Sequence, residues 1–229
     1  MKLSPRLQSI ADFVNRDSVV ADIGTDHGYI PAYLVENGIC SKIIASDINR
    51  GPLNNAQDYI NKKKLTSNIE TRLGNGLDIL KPNEVDTVII AGMGGILIEE
   101  ILKNAPNITN NIETFILQPM VASYDLRKYL YANNFIIEDE VLCKEGDKIY
   151  EIIYSKRGKE LIEDDIYFEI GRKLIEKKDK HLKEFLKKKI KKNNNILNKL
   201  KNKNSDKSIK RYKQVTNINE KIKAVYSSL

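Results

Sequence analysis

The feature that most restricts the fold is a series of short apolar segments, each finishing in glycine or an acid and each followed by a helical pattern. Ser18-Val-Val-Ala-Asp-Ile23 runs into Gly24, and Tyr29 to Asn37 then fits a helix closed by Gly38. Lys42 to Asp47 fits a second strand, and Pro52 to Lys63 a helix. Strands around Ile69–Leu73 and Asp86–Ala91, a helix over Gly95–Lys103, a strand Thr114–Gln118 and a helix Ala122–Asn133 continue the alternation. Ahead of them, Ser4 and Pro5 open an amphipathic helix carrying Leu7, Ile10, Ala11 and Val14, with Ser4 as its cap. Such alternation requires crossover connections, and therefore an α/β fold with a mainly parallel sheet covered on both faces. No helix fits between the runs Phe135–Leu142 and Lys148–Tyr154. They are expected to pair as an antiparallel hairpin at the sheet edge, giving seven strands of which the last runs the other way.

Charge divides the 229 residues in two. Residues 1–157 carry 17 Lys/Arg and 21 Asp/Glu, a net of −4, whereas residues 158–229 carry 21 and 10, a net of +11. From Gly171 onward there are 20 basic and 5 acidic residues and no further glycine or proline. This tail reads as helical. Ile175, Leu182, Phe185/Leu186, Ile196 and Leu200 follow an approximate heptad, weakened across the lysine-rich Lys187–Asn195. Val215, Ile218, Ile222 and Val225 follow 3-4-3 spacing, and Asn202–Asp206 is a turn signal between the two stripes. Two narrow apolar stripes with a short connection predict an antiparallel coiled-coil hairpin. The expected division is therefore a domain over 1–157 and a basic helical domain over 158–229. A basic arm of this kind suits a polyanion, and a solvated or dimerising coiled coil is the alternative.

Other classes are excluded by absence of their signals. No apolar run approaches the roughly 20 residues of a spanning helix, and residues 1–11 lack a signal-peptide core, so a soluble, cytoplasmic protein is expected. Cys40 and Cys143 stand far apart, and His27 and His181 are the only histidines, so neither a disulfide framework nor a metal site is expected.

In an open α/β sheet, ligands bind outside the carboxyl ends of the strands. The first strand ends in Asp22-Ile-Gly-Thr-Asp-His-Gly28, where Gly24 and Gly28 allow a sharp turn and close approach. A dinucleotide fingerprint would need glycine at the position of Asp26, and a carboxylate there repels a pyrophosphate, which counts against NAD or FAD. A cationic cofactor such as S-adenosylmethionine suits it. Asp47 ends the second strand, about where an acid would accept hydrogen bonds from a ribose; Gly74-Asn-Gly-Leu-Asp78 follows the third and Ala91-Gly-Met-Gly-Gly95 the fourth. Each alone is compatible with a turn; four in succession describe a nucleoside-binding rim.

The set Ala21–His27, Ala45-Ser-Asp47 with Gly51-Pro-Leu53, Arg72–Leu77, Ile90–Gly95, Ile116-Leu-Gln-Pro119 and Lys148–Ile153 resembles the bacterial tRNA adenine-22 N1-methyltransferase family (TrmK type) over roughly residues 1–157, with a matching helical tail. The resemblance implies a class I, Rossmann-like methyltransferase fold, S-adenosylmethionine as methyl donor, tRNA as partner, and a coiled coil that helps hold the RNA. It implies that Asp22, Gly24, Thr25 and Asp26 line the methionine end of the cofactor. Asp47 would hold the ribose, Asn75 and Gly76 flank the adenine, and Ala91, Gly92, Met93 and Gly94 border the methyl-transfer site. Gln118 and Pro119 fall where related enzymes keep a base-handling loop, and Met120 stands where the family often has a polar residue.

Adenine N1 has a lone pair in the neutral base, so no general base is needed; the base must be unstacked and aimed, and the cation formed must be tolerated. Asp26 is the expected stabiliser of that cation, with His27 a second candidate, since either could accept a hydrogen bond from the exocyclic amine. Lys177, Lys180, Lys183, Lys187 and Lys188 are expected along one tail helix and Arg211 on its partner, tracking phosphates, with a monomer or weak dimer as the assembly. Transfer to rRNA or DNA, and a non-catalytic RNA-binding module of the same fold, are the competing readings.

Overall fold

The computed structural model describes residues 2–229, which divide after Leu161 into two compact units. The first unit is a seven-stranded sheet in the order β3-β2-β1-β4-β5-β7-β6. The strands are β1 (Val20–Ile23), β2 (Ile43–Asp47), β3 (Ile69–Leu73), β4 (Thr87–Gly94), β5 (Thr114–Val121), β6 (Phe135–Glu145) and β7 (Lys148–Arg157). The first five pair in parallel, while β7 is antiparallel to both β5 and β6. The last strand is thus inserted between β5 and the edge strand β6. Chain order reverses between β1 and β4, so the crevice at the sheet's carboxyl edge opens above that pair.

Side chains alternate across the sheet and build two cores. On one face Val20, Ile43, Ile89, Ile116 and Ile152 meet Ile10 of α1 (Pro5–Ala11), Ile30 and Leu34 of α2 (Tyr29–Glu36) and Ile60 of α3 (Arg50–Lys62). On the other, Ala21, Ile44, Val88, Ile90, Phe115 and Leu117 meet Ile98 and Leu102 of α4 (Gly95–Asn104), Ile108 of the short α5 (Pro106–Thr109), and Leu126 and Leu130 of α6 (Ser123–Ala132). Ser4 caps α1 as its position implies, its hydroxyl facing the Leu7 N–H. Cys40 and Cys143 are free and buried, and burial pushes the Cys40 thiol up to about 11.

An ion-paired cluster lies against this apolar layer. Arg127 of α6 is fully buried, its Nε 2.7 Å from Glu140 of β6 and its Nη2 2.7 Å from Glu151 of β7, while Ser123 donates to the other Glu151 oxygen at 2.6 Å. Burial pulls the guanidinium pKa down, and the two carboxylates more than reverse that pull, so it stays charged. The triad fastens the helix that follows β5 to the hairpin beside it.

The second unit holds the short helices α7 (Ile166–Ile170) and α8 (Arg172–Glu176), then α9 (Leu182–Leu200) and α10 (Asp206–Ser227), a helical hairpin. The tail is therefore not one continuous helix up to the turn. Lys178 adopts a left-handed backbone and Asp179 accepts the His181 N–H, so Lys177 and Lys180 sit in the connection before α9 and not on it. Leu182, Phe185 and Leu186 of α9 and Val215 and Ile222 of α10 are buried. Within the stretch where the stripe weakens, Asn194 accepts a 3.0 Å hydrogen bond from the buried Asn219, which fixes the hairpin's register as a polar core position does in coiled coils.

Removing the Arg127 guanidinium strands two carboxylates in the core, so Arg127→Met should destabilise the first unit by about 3–5 kcal/mol in chemical denaturation. Glu140→Gln, which keeps a hydrogen-bond acceptor, should cost less.

Candidate functional site

Because β1 to β5 are parallel, their carboxyl ends share one edge, and the residues beyond them are brought together regardless of sequence distance. The Gly24 and Thr25 N–H groups both donate to the Ser46 carbonyl, at 2.8 and 2.7 Å, and the Gly74 N–H donates to the Asp47 carbonyl at 3.0 Å. The loops after β1, β2 and β3 are thereby tied into one rim.

Asp22 is buried at the end of β1, between Ala45 of β2 and Ile89 of β4. Burial pushes its carboxyl up to about 6, the negative charge of Asp47 acts the same way, and the Thr25 hydroxyl opposes them only in part. That hydroxyl is itself buried, lies beside the Asp22 carboxyl and, among the described residues, meets no partner at full hydrogen-bond geometry. A buried carboxylate beside a buried, weakly engaged hydroxyl suits a cationic, hydrogen-bonding group. Asp47 lies at the rim, one of its oxygens taking the Asn49 N–H at 2.6 Å. Asn75 is exposed and caps a 3-10 turn at Gly76–Ile79, with Gly76 in the left-handed region.

Gly24 has a second reason to be glycine. Its φ is +76°, and a Cβ there would lie 2.2 Å from the Met93 Cε, so the methionine end fills the space a side chain would need. Met93 reaches that place because β4 does not stop at Ala91, as the sequence suggested, but continues to Gly94 through a bulge. The register against β5 jumps from Ala91–Gln118 to Met93–Pro119, leaving Gly92 out of the ladder with φ +77°. Gly95 then lets the chain after β5 approach, since a Cβ on it would come within 2.3 Å of the Ala122 carbonyl oxygen.

That extension revises the expectation for Gln118 and Pro119. Both are buried within β5, which pairs with the bulged end of β4, and do not lie in a loop. The Gln118 amide is occupied on both sides: its oxygen accepts from Arg6 at 2.8 Å and from the Gly92 N–H at 3.2 Å, and its nitrogen donates to the Pro119 carbonyl at 3.0 Å. It braces the site from beneath. The side chains that reach solvent here are Met120 and Val121, together with Ile96 and Leu97 on the first turn of α4. Arg6 lies on α1, and no sequence motif announces its place beside the site.

Asp26 is exposed, and His27, held at φ +58°, places its Nε2 3.3 Å from an Asp26 oxygen. His27 stacks on Tyr29 with ring centroids 5.3 Å apart, and Tyr29 meets Tyr59 edge-on at 5.2 Å. Among the described residues no group of His, Cys, Asp and Glu is placed to hold a metal ion. No helix there is long and apolar enough to cross a membrane.

In the second unit, the tail cations fall into two sets. Lys189 pairs with Glu169 at 2.7 Å, and Lys221 bonds Asp164 and Asp165, so these are committed to structure. Lys183 and Lys187 of α9 and Arg211 of α10 are exposed, and Lys188 is exposed beside Glu184. A groove along α9 is lined by Lys188, Lys191, Lys192, Asn195, Ile196 and Lys199, which adds Lys191, Lys192 and Lys199 to the expected Lys188.

This fold and rim define a class I methyltransferase, and a methyltransferase-domain family model matches residues 3–153. The chain is 40% identical to the Bacillus subtilis tRNA (adenine(22)-N(1))-methyltransferase over 158 residues, 69% of this chain and 66% of that protein. The solved structure of the B. subtilis m1A22 methyltransferase TrmK superposes with a TM-score of 0.91 at 31% identity, covering 98% of this chain and 99% of that one. TrmK of M. capricolum, solved with S-adenosylhomocysteine, gives 0.84 at 32% identity over 99% of both chains. A Streptococcus pneumoniae protein solved with S-adenosylmethionine gives 0.89 at 29% identity, covering 98% of this chain and all of that one. The chain belongs to the TrmK-type tRNA (adenine-22) N1-methyltransferase family.

Ionised Asp22 is the costly form in the free protein, so at pH 8 its burial opposes folding, and this penalty fades as pH falls through about 6 toward 4. Asp22→Asn should therefore raise the free protein's stability at pH 8 by roughly 1–3 kcal/mol, with the gain vanishing near pH 4. Thermal unfolding across that range checks the sign.

Proposed function

We propose that this chain transfers the methyl group of S-adenosylmethionine to N1 of adenine 22 in tRNA. The observation that carries the reading is the buried Asp22–Thr25 pair within a rim formed by consecutive strand ends, a site of the right charge for a cofactor with an ammonium and a sulfonium. That cofactor, when bound, supplies an electrophilic methyl. Asp22, Gly24 and Thr25 receive its amino-acid end, Asp47 its ribose, Asn75 and Gly76 its adenine, and Ala91 to Gly94 border the methyl.

Asp26 acts on the acceptor base. Its exposed carboxylate accepts a hydrogen bond from the exocyclic amine and offsets the positive charge that develops on adenine, with His27 restraining its direction. Met120 and Val121, exposed at the end of β5, give the unstacked base an apolar surface in place of its stacking neighbours. No side chain is needed to remove a proton before attack.

The α9 groove holds phosphates without reading sequence. Lys183, Lys187 and Arg211 extend it, and Lys177 and Lys180 contribute from the connection before α9.

Incubation with unmodified tRNA and methyl-labelled S-adenosylmethionine, followed by nucleoside mass spectrometry, should yield 1-methyladenosine, and none from a tRNA carrying G at position 22. Label in another nucleoside, or undiminished 1-methyladenosine from the substituted tRNA, would overturn the assignment. Asp26→Ala should lower turnover at saturating cofactor by about 10²-fold. Replacing Lys188, Lys191 and Lys192 with glutamate should weaken tRNA binding and flatten its salt dependence by about 2–3 units of slope, leaving cofactor binding unchanged.

A further inference from the structure

We propose that Arg6 is a positioning residue for methyl transfer, acting through Gln118 on the Gly92 bulge and on the Met120–Val121 lip. The inference rests on the function proposed above and adds to it a residue from an element that precedes every cofactor motif.

Arg6 is firmly placed. Its backbone N–H donates to Glu145 at 3.2 Å, and the Ser4 hydroxyl donates to the same carboxylate oxygen at 3.1 Å, so the start of α1 is fastened to the β6 end of the hairpin. Its guanidinium lies over the Tyr150 ring of β7, 5.5 Å from the centroid. From there Nη1 reaches the Gln118 oxygen.

Gln118 joins the two strands that border the site. Its oxygen accepts from the Gly92 N–H, a donor that the bulge leaves outside the ladder, and its nitrogen donates to the Pro119 carbonyl and lies 3.5 Å from the Met120 sulfur. A carboxamide turned over would set its NH₂ against the guanidinium and the Gly92 N–H, and its oxygen against the Pro119 carbonyl. Arg6 supplies the charged donor that opposes this reversal, and hydrogen bonds from charged donors are the stronger kind. Because Gly92 adjoins Met93, which fills the space beside Gly24, a change in the Gln118 amide alters both sides of the place where methyl donor and base must meet. Catalysis by alignment is sensitive to displacements of about 1 Å.

The test is a double-mutant cycle on the full chain with Arg6→Met and Gln118→Ala, reading kcat and KM for tRNA, the dissociation constant of S-adenosylmethionine, and hydrogen exchange at the Gly92 amide. Arg6→Met is expected to lower kcat by about 10–100-fold with KM for tRNA nearly unchanged, and to speed Gly92 exchange in the free protein. Arg6→Lys should restore most of the rate. In the Gln118→Ala background the same change should cost less than about twofold, since both residues act on one path. Multiplicative losses would overturn the proposal, as would a raised KM for tRNA at normal kcat, which would make Arg6 an RNA contact. If Arg6→Met fails to fold, Arg6→Gln and Gln118→Ala take its place in the exchange measurement, with unchanged Gly92 exchange in both counting against the proposal. Gly92 exchange needs no substrate, so an enzyme that methylated some other acceptor would sink the functional reading while leaving this one open to refutation.

Discussion

A carboxylate buried at the centre of a parallel sheet is the constraint around which this molecule is organised. Asp22 is the penultimate residue of β1, just inside the carboxyl edge, and the same burial that makes its charge costly suits it to a cation. The neighbouring strand ends supply the rest: a turn that Gly24 and Thr25 hang from the Ser46 carbonyl, an acid at the end of β2, and a bulge that sends Met93 back across Gly24. In the proposed function, a cationic ligand entering the rim would offset the cost of that buried charge.

Three polar devices then maintain the arrangement where apolar packing alone could not. The Arg127–Glu140–Glu151 triad holds α6 to the hairpin, and so fixes where the chain leaves β5. Gln118 spans the β4 bulge and the end of β5. In the second unit the Asn194–Asn219 pair sets one register for two helices whose apolar stripe is interrupted. Each is expensive to bury and specific in geometry, which suits positions where a small slip would displace functional groups.

The alternation of apolar runs and helical patterns made the sheet, its parallel sense and the reversed last strand legible in the sequence, because period and turn residues are local properties. The rim was legible for the same reason: glycine and acid at consecutive strand ends need no tertiary information to be noticed. What was hidden depends on contacts between distant residues. The continuation of β4 past Ala91 follows from pairing with β5, and it carries Gln118 and Pro119 into the buried part of the sheet while the Met120 and Val121 side chains at the strand's end stay exposed. Arg127 sits beside Leu126 on an otherwise ordinary amphipathic helix, and its partners lie 13 and 24 residues further on. The tail's composition foretold helices but not the break at Lys178, nor that Lys189 and Lys221 would be consumed by carboxylates.

The central claim is that a buried, titrating Asp22 receives the cationic end of S-adenosylmethionine. Calorimetric titration of the wild-type chain with S-adenosylmethionine from pH 5 to pH 8 tests it most directly. Affinity should climb about tenfold per pH unit below about 6, level off above it, and lose this dependence in Asp22→Asn. Tight binding that ignores pH in the wild type, or that survives unchanged in the variant, would contradict the account.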